Sequence, residues 1–264
     1  MKLNTGKMLA RVEDGIGWVT FNNPEKRNAI SLEMWEGLAT ILEDFQRDEG
    51  VRVVVMLGAG DKAFVSGADI SEFDSKRGSA EQKESYGRVA ARANRWLAKL
   101  DKPLIAMIQG FCIGGGLATA LNADVRFATP DSTFGIPAAR LGLGYEYEGL
   151  RHLTDLVGPS RAKDIMFSAR YMDANEALQM GLINRICDID KLESQVMEYA
   201  ALIAGNAPLT VKAAKAAINE AVKDPDKRDL HSIGVMINGC FDSEDYKEGR
   251  LAFKEKRRPE FKGR

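Results

Sequence analysis

The stretch from Pro103 to Gly149 constrains the fold of this chain more than any other. Its continuous apolar run Leu104-Ile105-Ala106-Met107-Ile108 is short and bounded by Pro and Gly, which predicts a buried strand. Gln109-Gly110-Phe111-Cys112-Ile113 leads to Gly114-Gly115-Gly116, and Leu117-Ala118-Thr119-Ala120-Leu121 continues as a small-residue helix. A strand feeding a glycine-rich turn into a helix leaves backbone N–H groups unpaired at the helix start, aimed at whatever lies there. Glycine has no Cβ, so a ligand oxygen can approach that backbone closely. Such a segment can stabilise an anion. The same glycines can equally serve tight helix–strand packing.

A chain of 264 residues is long enough for a substantial core, and its 45% hydrophobic and 28% charged residues are ordinary for a globular protein. With 37 basic and 38 acidic residues the formal charge is −1, which argues against nucleic acid or an anionic membrane as the main partner. Cys112, Cys187 and Cys240 are far apart and odd in number, suiting a reducing compartment. His152 and His231 are isolated, so no metal site is expected. No signal-peptide layout or membrane-length apolar run is present, and a cytoplasmic location is expected.

In chain order, Met8–Val12 and Gly17–Phe21 read as strands joined across Glu13-Asp14-Gly15. A polar loop precedes Ser31, which can cap a helix with Met34, Leu38, Ile41, Leu42 and Phe45 on one face. Val51–Leu57 predicts a buried strand, and the glycine-rich residues 58–70 a loop. Residues 74–84 are polar and expected to be mobile, ahead of a helix from Ser85 to Leu100. Strands are expected at Asp124–Ala128 and Thr133–Ile136, and the pattern beyond Gly149 becomes helical. Asp173 and Glu176 have capping-box spacing, and further helices are expected at 190–204, 209–222, 230–241 and 243–256. The strand–strand–helix rhythm recurs and makes the chain α/β, with a boundary near Asn206-Ala207-Pro208. That divides a sheet-containing core, 1–206, from a helical region, 207–264.

With these residues laid out, the chain resembles the crotonase superfamily, also called the enoyl-CoA hydratase/isomerase family. Asn22-Asn23-Pro24-Glu25-Lys26-Arg27-Asn28-Ala29 resembles its first CoA-binding loop, and Ser66-Gly67-Ala68-Asp69-Ile70 its first oxyanion-hole segment. Gly110 to Gly116 is similar to the second such segment. Ala174 to Asn184 resembles the family's EAL-x-x-GLV-x signature, and Gly249 to Arg257 its C-terminal helix.

The resemblance implies a crotonase-like spiral of ββα units with a helical C-terminal trimerisation region, assembled as a homotrimer or hexamer. It implies an acyl-CoA thioester as substrate, no cofactor beyond the coenzyme A of that substrate, and a thioester enolate held by two backbone donors. By match those are the N–H groups of Ala68 and Gly115, while Lys26, Arg27, Ala29, Ala68, Asp69 and Ile70 contact the CoA. Phe253 and Lys256 would belong to a neighbour's CoA pocket.

Hydratases of this family use two glutamates. One follows the glycine triplet by two residues, here Ala118; the other follows a proline, and here Pro137 precedes Ala138. Methyl groups cannot move a proton. The loop Arg140–Gly149 instead carries Tyr145, Glu146, Tyr147 and Glu148. Glu146 matches the offset of the catalytic acid in enoyl- and dienoyl-CoA isomerases of the family, and Tyr145 resembles the tyrosine of its decarboxylase branch. The sequence reading ranks double-bond isomerisation first. Acyl-CoA decarboxylation through Tyr145 comes second, and a non-catalytic CoA-thioester binding protein is the remaining alternative. By default, loop glutamates are solvated and tyrosines pack with wet hydroxyls.

Overall fold

A computed structural model describes residues 1–72 and 80–264. The chain opens with a hairpin, β1 (Met8–Glu13) antiparallel to β2 (Ile16–Phe21). Asp14 and Gly15, both at positive φ, make the tight turn whose twist suits two adjoining strands. Helix α1 (Leu32–Arg47) carries the chain to β3 (Val53–Gly58), which pairs parallel to β2. Ser31 stands at the N-cap of α1 as expected, but its hydroxyl makes no capping bond; the Glu72 carboxylate accepts the Leu32 N–H at 2.8 Å instead.

From β3 onward each unit places one strand in a large sheet and the next in a small one. β4 (Ala63–Val65) follows β3, and β6 (Phe111–Ile113) follows β5 (Leu104–Ile108). β8 (Thr133–Gly135) follows β7 (Val125–Ala128). With β9 (Met172–Asp173) and β10 (Arg185–Ile186), the strand orders are β1-β2-β3-β5-β7-β10 and β4-β6-β8-β9. Helices α2 (Ala80–Lys99), α3 (Gly115–Ala120) and α4 (Tyr147–Ser168) complete successive ββα units. This is the expected crotonase-like α/β spiral.

The inner strands β2, β3 and β5 of the large sheet are buried on both faces, which explains their apolar runs. Successive side chains on a strand point to opposite faces. Phe21, Val54, Met56, Leu104, Ala106 and Ile108 accordingly join the core beneath α1 and α2. Trp18, Val53, Val55, Ile105 and Met107 join the opposite layer. Helix α6 (Leu192–Ala204) closes that layer with Leu192, Val196 and Ala200. Helix α5 (Ala174–Gln179) has Asp173 at its N-cap, accepting the Glu176 N–H at 2.8 Å. Glu176 does not complete the box but pairs with Arg170.

Four expectations change. Residues 58–70, read as a loop, contain β4; the stretch after Ile108, read as a turn, contains β6. Three-residue strands are too short to show a period, and pairing with β6 and β8 is what makes them strands. The helix expected from Ser85 begins at Ala80. Of the polar residues 74–84, 74–79 lie outside the described residues and 80–84 belong to α2.

Beyond residue 206 run α7 (Pro208–Ala221), α8 (Leu230–Asp242) and α9 (Glu244–Glu255). They bury little: Ile218, Val222, Leu230, Val235, Ile237 and Phe241 are all exposed. The tail returns onto α9, where the buried Asp245 carboxylate accepts the Lys262 and Gly263 N–H groups. No helix among the described residues is long and apolar enough to cross a membrane.

Candidate active site

The site grows from the loop that leaves β4. Residues 27–30 run beside it like a short parallel strand: Ser66 N–H donates to Arg27 O at 3.1 Å, Ile30 N–H to Gly67 O at 2.8 Å, and Asp69 N–H to Ile30 O at 2.9 Å. The peptide N–H of Ala68 therefore faces away from residue 30, and it has no acceptor among the described residues. Gly67, at φ +120°, supplies a backbone conformation that other residues rarely adopt.

The second donor comes from the glycine triplet, whose members do three different things. Gly114 has φ 55° and ψ −118°, and its N–H donates to Gly135 O at 2.8 Å, joining the end of β8. Gly115 opens α3, so its N–H has no intrahelical acceptor, and none other is found among the described residues. A Cβ built on Gly115 would stand 3.8 Å from Ala68 N, so the two segments adjoin. At Gly116 a Cβ would fall 2.0 Å from Val65 O; this glycine lets α3 pack on β4. Paired N–H groups with no protein acceptor can hold an oxygen on which negative charge develops.

The two candidate hydratase positions carry methyls. Ala118 lies in α3 and is half-buried; Ala138 is buried in the 3₁₀ turn Pro137–Leu141 that follows β8. Leu143 N–H donates back to Ala138 O, folding residues 142–146 toward the start of α4. Glu146 occupies the N-cap of α4 and is exposed, as are Tyr147 and Glu148. Tyr145 alone of the four turns inward, packing against the core, and burial pushes its phenol pKa up.

The expected CoA-contacting residues fall into two groups. Lys26, Arg27, Ala29, Asp69 and Ile70 come together with Ala68 where residues 24–30 meet 66–72. Lys26 Nζ lies 2.8 Å from Asp69 Oδ2 and 2.8 Å from Ser71 Oγ, so it joins the two segments. Asp69 is 6% exposed. Burial alone would raise its pKa, but the bonds from Lys26, the Ser71 hydroxyl and the Ser71 N–H together hold it below the usual carboxylate value. The Arg27 guanidinium covers the Phe111 ring at 4.9 Å, beside a cavity of about 310 Å³ between residues 24–28 and 59–63. Ile70 is exposed and Ala29 half-buried. Phe253, 88% exposed, and Lys256, the left-handed C-cap of α9, lie in the C-terminal region and are not among these contacts.

Asn28 escaped the sequence reading. Its side chain is completely buried and bonded to three main-chain groups, at Asn23, Ala59 and Ala63. The only signal in the sequence was an Asn inside a polar loop, a residue type that tolerates left-handed backbone. Among the described residues, no group of three His, Cys, Asp or Glu could hold a metal ion.

A ββα spiral with two adjoining N–H donors of this kind defines the class of the chain. Residues 11–264 match the family model described as enoyl-CoA hydratase/isomerase, and the chain belongs to that family. It is 35% identical over 265 residues to a short-chain-enoyl-CoA hydratase from Clostridium acetobutylicum, covering 100% of both chains. It is 31% identical over 254 residues to a crotonyl-CoA hydratase from Syntrophomonas wolfei, covering 96% of this chain and 97% of the relative. A crystal structure of an enoyl-CoA hydratase/carnitine racemase from Magnetospirillum magneticum superposes with a TM-score of 0.92 at 35% identity, covering 99% and 97% of the two chains. Both named hydratases are close over their full length, whereas residues 118 and 138 of this chain are alanines.

Proposed function

We propose that this protein is an acyl-CoA enzyme that stabilises a thioester enolate and moves a proton between carbons, the double-bond isomerase reading. One observation carries it: two N–H donors without protein acceptors, at Ala68 and Gly115, in a chain whose residues 118 and 138 are alanines. The donors favour the enolate oxygen. The alanines remove the carboxylates that would activate and deliver water.

In this reading Glu146 takes the proton from the α carbon of a β,γ-enoyl thioester. The C–H electron pair becomes the dienolate, whose oxygen rests between Ala68 and Gly115. Glu146 then returns the proton at the γ carbon, leaving the α,β double bond. Its position at the N-cap of α4 suits a carboxylate, since a helix N-terminus favours negative charge. Lys26, Arg27, Ala29, Asp69 and Ile70 hold the CoA, and no other cofactor takes part.

One observation favours a second reading. Tyr145, not Glu146, turns into the protein, and its phenol is kept neutral by burial. If the enolate forms by loss of carbon dioxide from a malonyl-type thioester, a neutral phenol is the group needed to return a proton to the α carbon.

The exposed apolar residues of α7 and α8 support assembly as a closed trimer or a hexamer, with residues 207–264 as the oligomerisation region and 1–206 as the catalytic core. Phe253 and Lys256 would then complete a neighbour's CoA pocket. The free cysteines fit the cytoplasmic location proposed with this reading.

The test is turnover of β,γ-enoyl-, malonyl-type and crotonyl-CoA by wild type, Glu146→Gln and Tyr145→Phe. Isomerisation lost in Glu146→Gln alone supports the first reading; decarboxylation lost in Tyr145→Phe alone supports the second. Rapid hydration of crotonyl-CoA by wild type refutes both.

A further inference from the structure

Asn28 links the segment that aims Ala68 to the segment that opens β4. Its backbone is left-handed, at φ 55°, which Asn adopts more readily than most side chains. Nδ2 donates to Ala59 O at 3.0 Å and to Ala63 O at 2.7 Å, while Oδ1 accepts the Asn23 N–H at 2.9 Å. Two carbonyls face one end of the side chain and an N–H faces the other. Only a neutral amide, with two donors and an acceptor, satisfies all of them.

The surroundings are shaped for that amide. A Cβ on Gly58 would fall 2.2 Å from Ala63 O, 2.5 Å from Phe64 O and 2.7 Å from Asn28 Nδ2, so glycine at 58 lets β4 and the Asn28 amide pack together there. On its other side, Asn28 belongs to the run that templates the oxyanion loop through Arg27 O, Ile30 N–H and Ile30 O. The Ala68 N–H direction is set by the bonds on either side of it, so a shift of residues 27–30 re-aims that donor.

We propose that Asn28 is a positioning residue for the Ala68 oxyanion donor, its side-chain amide locking residues 27–30 against the start of β4. This inference rests on the reading of Ala68 and Gly115 as oxyanion donors. A misplacement of about 1 Å in such a constellation can cost about a hundredfold in rate.

The test uses acetoacetyl-CoA, whose enolate has its own ultraviolet band, read per bound ligand so that affinity drops out. Asn28→Asp keeps the shape, the acceptor and the left-handed backbone, but as a carboxylate it offers no donor to Ala59 O and Ala63 O. Relative to wild type, its enolate band falls about tenfold to a hundredfold at about pH 8. It recovers in part at about pH 5, where a buried carboxyl regains its proton and can donate to one of the two carbonyls. Glu25, Arg27, Asp61 and Lys62 line the cavity beside Asn28 in wild type and variants alike, so the ratio to wild type at each pH isolates residue 28. Asn28→Gly keeps the left-handed backbone without the amide; its band falls equally, with no recovery at low pH, and it carries the test if Asn28→Asp does not fold. Wild-type enolate bands in the folded variants overturn the inference, as does loss in Asn28→Asp without recovery at low pH. Wild type binding acetoacetyl-CoA without any enolate band overturns the oxyanion reading itself.

Discussion

Two neighbouring glycines should separate function from stability. Gly115→Ala adds a methyl 3.8 Å from Ala68 N, which is ordinary van der Waals distance, and Gly115 has no positive φ. The fold therefore accommodates it, and fewer unfolded conformations stabilise the protein by about 0.4–1 kcal/mol. The methyl nevertheless crowds the junction of the two donor segments, where the proposed site would hold an enolate oxygen. Loss of one oxyanion donor costs about 2.7–4 kcal/mol, about 10²–10³ in turnover. Gly116→Ala does the reverse: its methyl would meet Val65 O at 2.0 Å, so α3 must move off β4. Such overpacking typically costs about 1–3 kcal/mol, and a protein of this size loses about 2–4 °C of Tm per kcal/mol. Thermal unfolding and enolate absorbance of bound acetoacetyl-CoA, measured on both variants, give the answer. Gly115→Ala should melt at or above wild type with its enolate band gone, and Gly116→Ala should melt several degrees lower. A Gly115→Ala protein that enolises acetoacetyl-CoA like wild type refutes the two-donor site.

Saturating acetoacetyl-CoA should raise the Tm of wild type, because ligand linkage stabilises the fold by about 2.7 kcal/mol at a hundredfold excess over Kd; an unchanged Tm rejects CoA-thioester binding. Light scattering at micromolar concentration should give three or six copies, because Ile218, Val222, Ile237 and Phe241 are exposed on one chain; a monomer rejects the assembly. Asp69 is held below its ordinary pKa of 3.8, so its stabilising contribution is full above the unfolded value and is lost as pH falls through the folded value. Below about pH 4, wild type should therefore lose stability more steeply than Asp69→Asn; parallel melting curves against pH would show that the Lys26–Asp69 pair contributes nothing.

What the sequence determined on its own was whatever has a period or an unambiguous chemistry. The continuous apolar runs Val53–Met56 and Leu104–Ile108 mark strands buried on both faces, because both layers take apolar side chains. Met34, Leu38, Ile41, Leu42 and Phe45 mark α1 at helical spacing. Ala118 and Ala138 could be read as lacking a proton carrier from their identity alone, and the order of the motifs sufficed for the family. Only the tertiary structure decided the rest, since it depends on contacts between residues far apart in the chain. β4 and β6 are strands because they pair with each other and with β8, not through any pattern of their own. The glycines of the triplet look alike in sequence, and they differ because Gly135, Ala68 and Val65 stand against them. Tyr145 turns in while Glu146 stays exposed because only the phenol finds apolar neighbours. Asn28 became visible only once the carbonyls of Ala59 and Ala63, more than thirty residues on, were seen to converge on its amide.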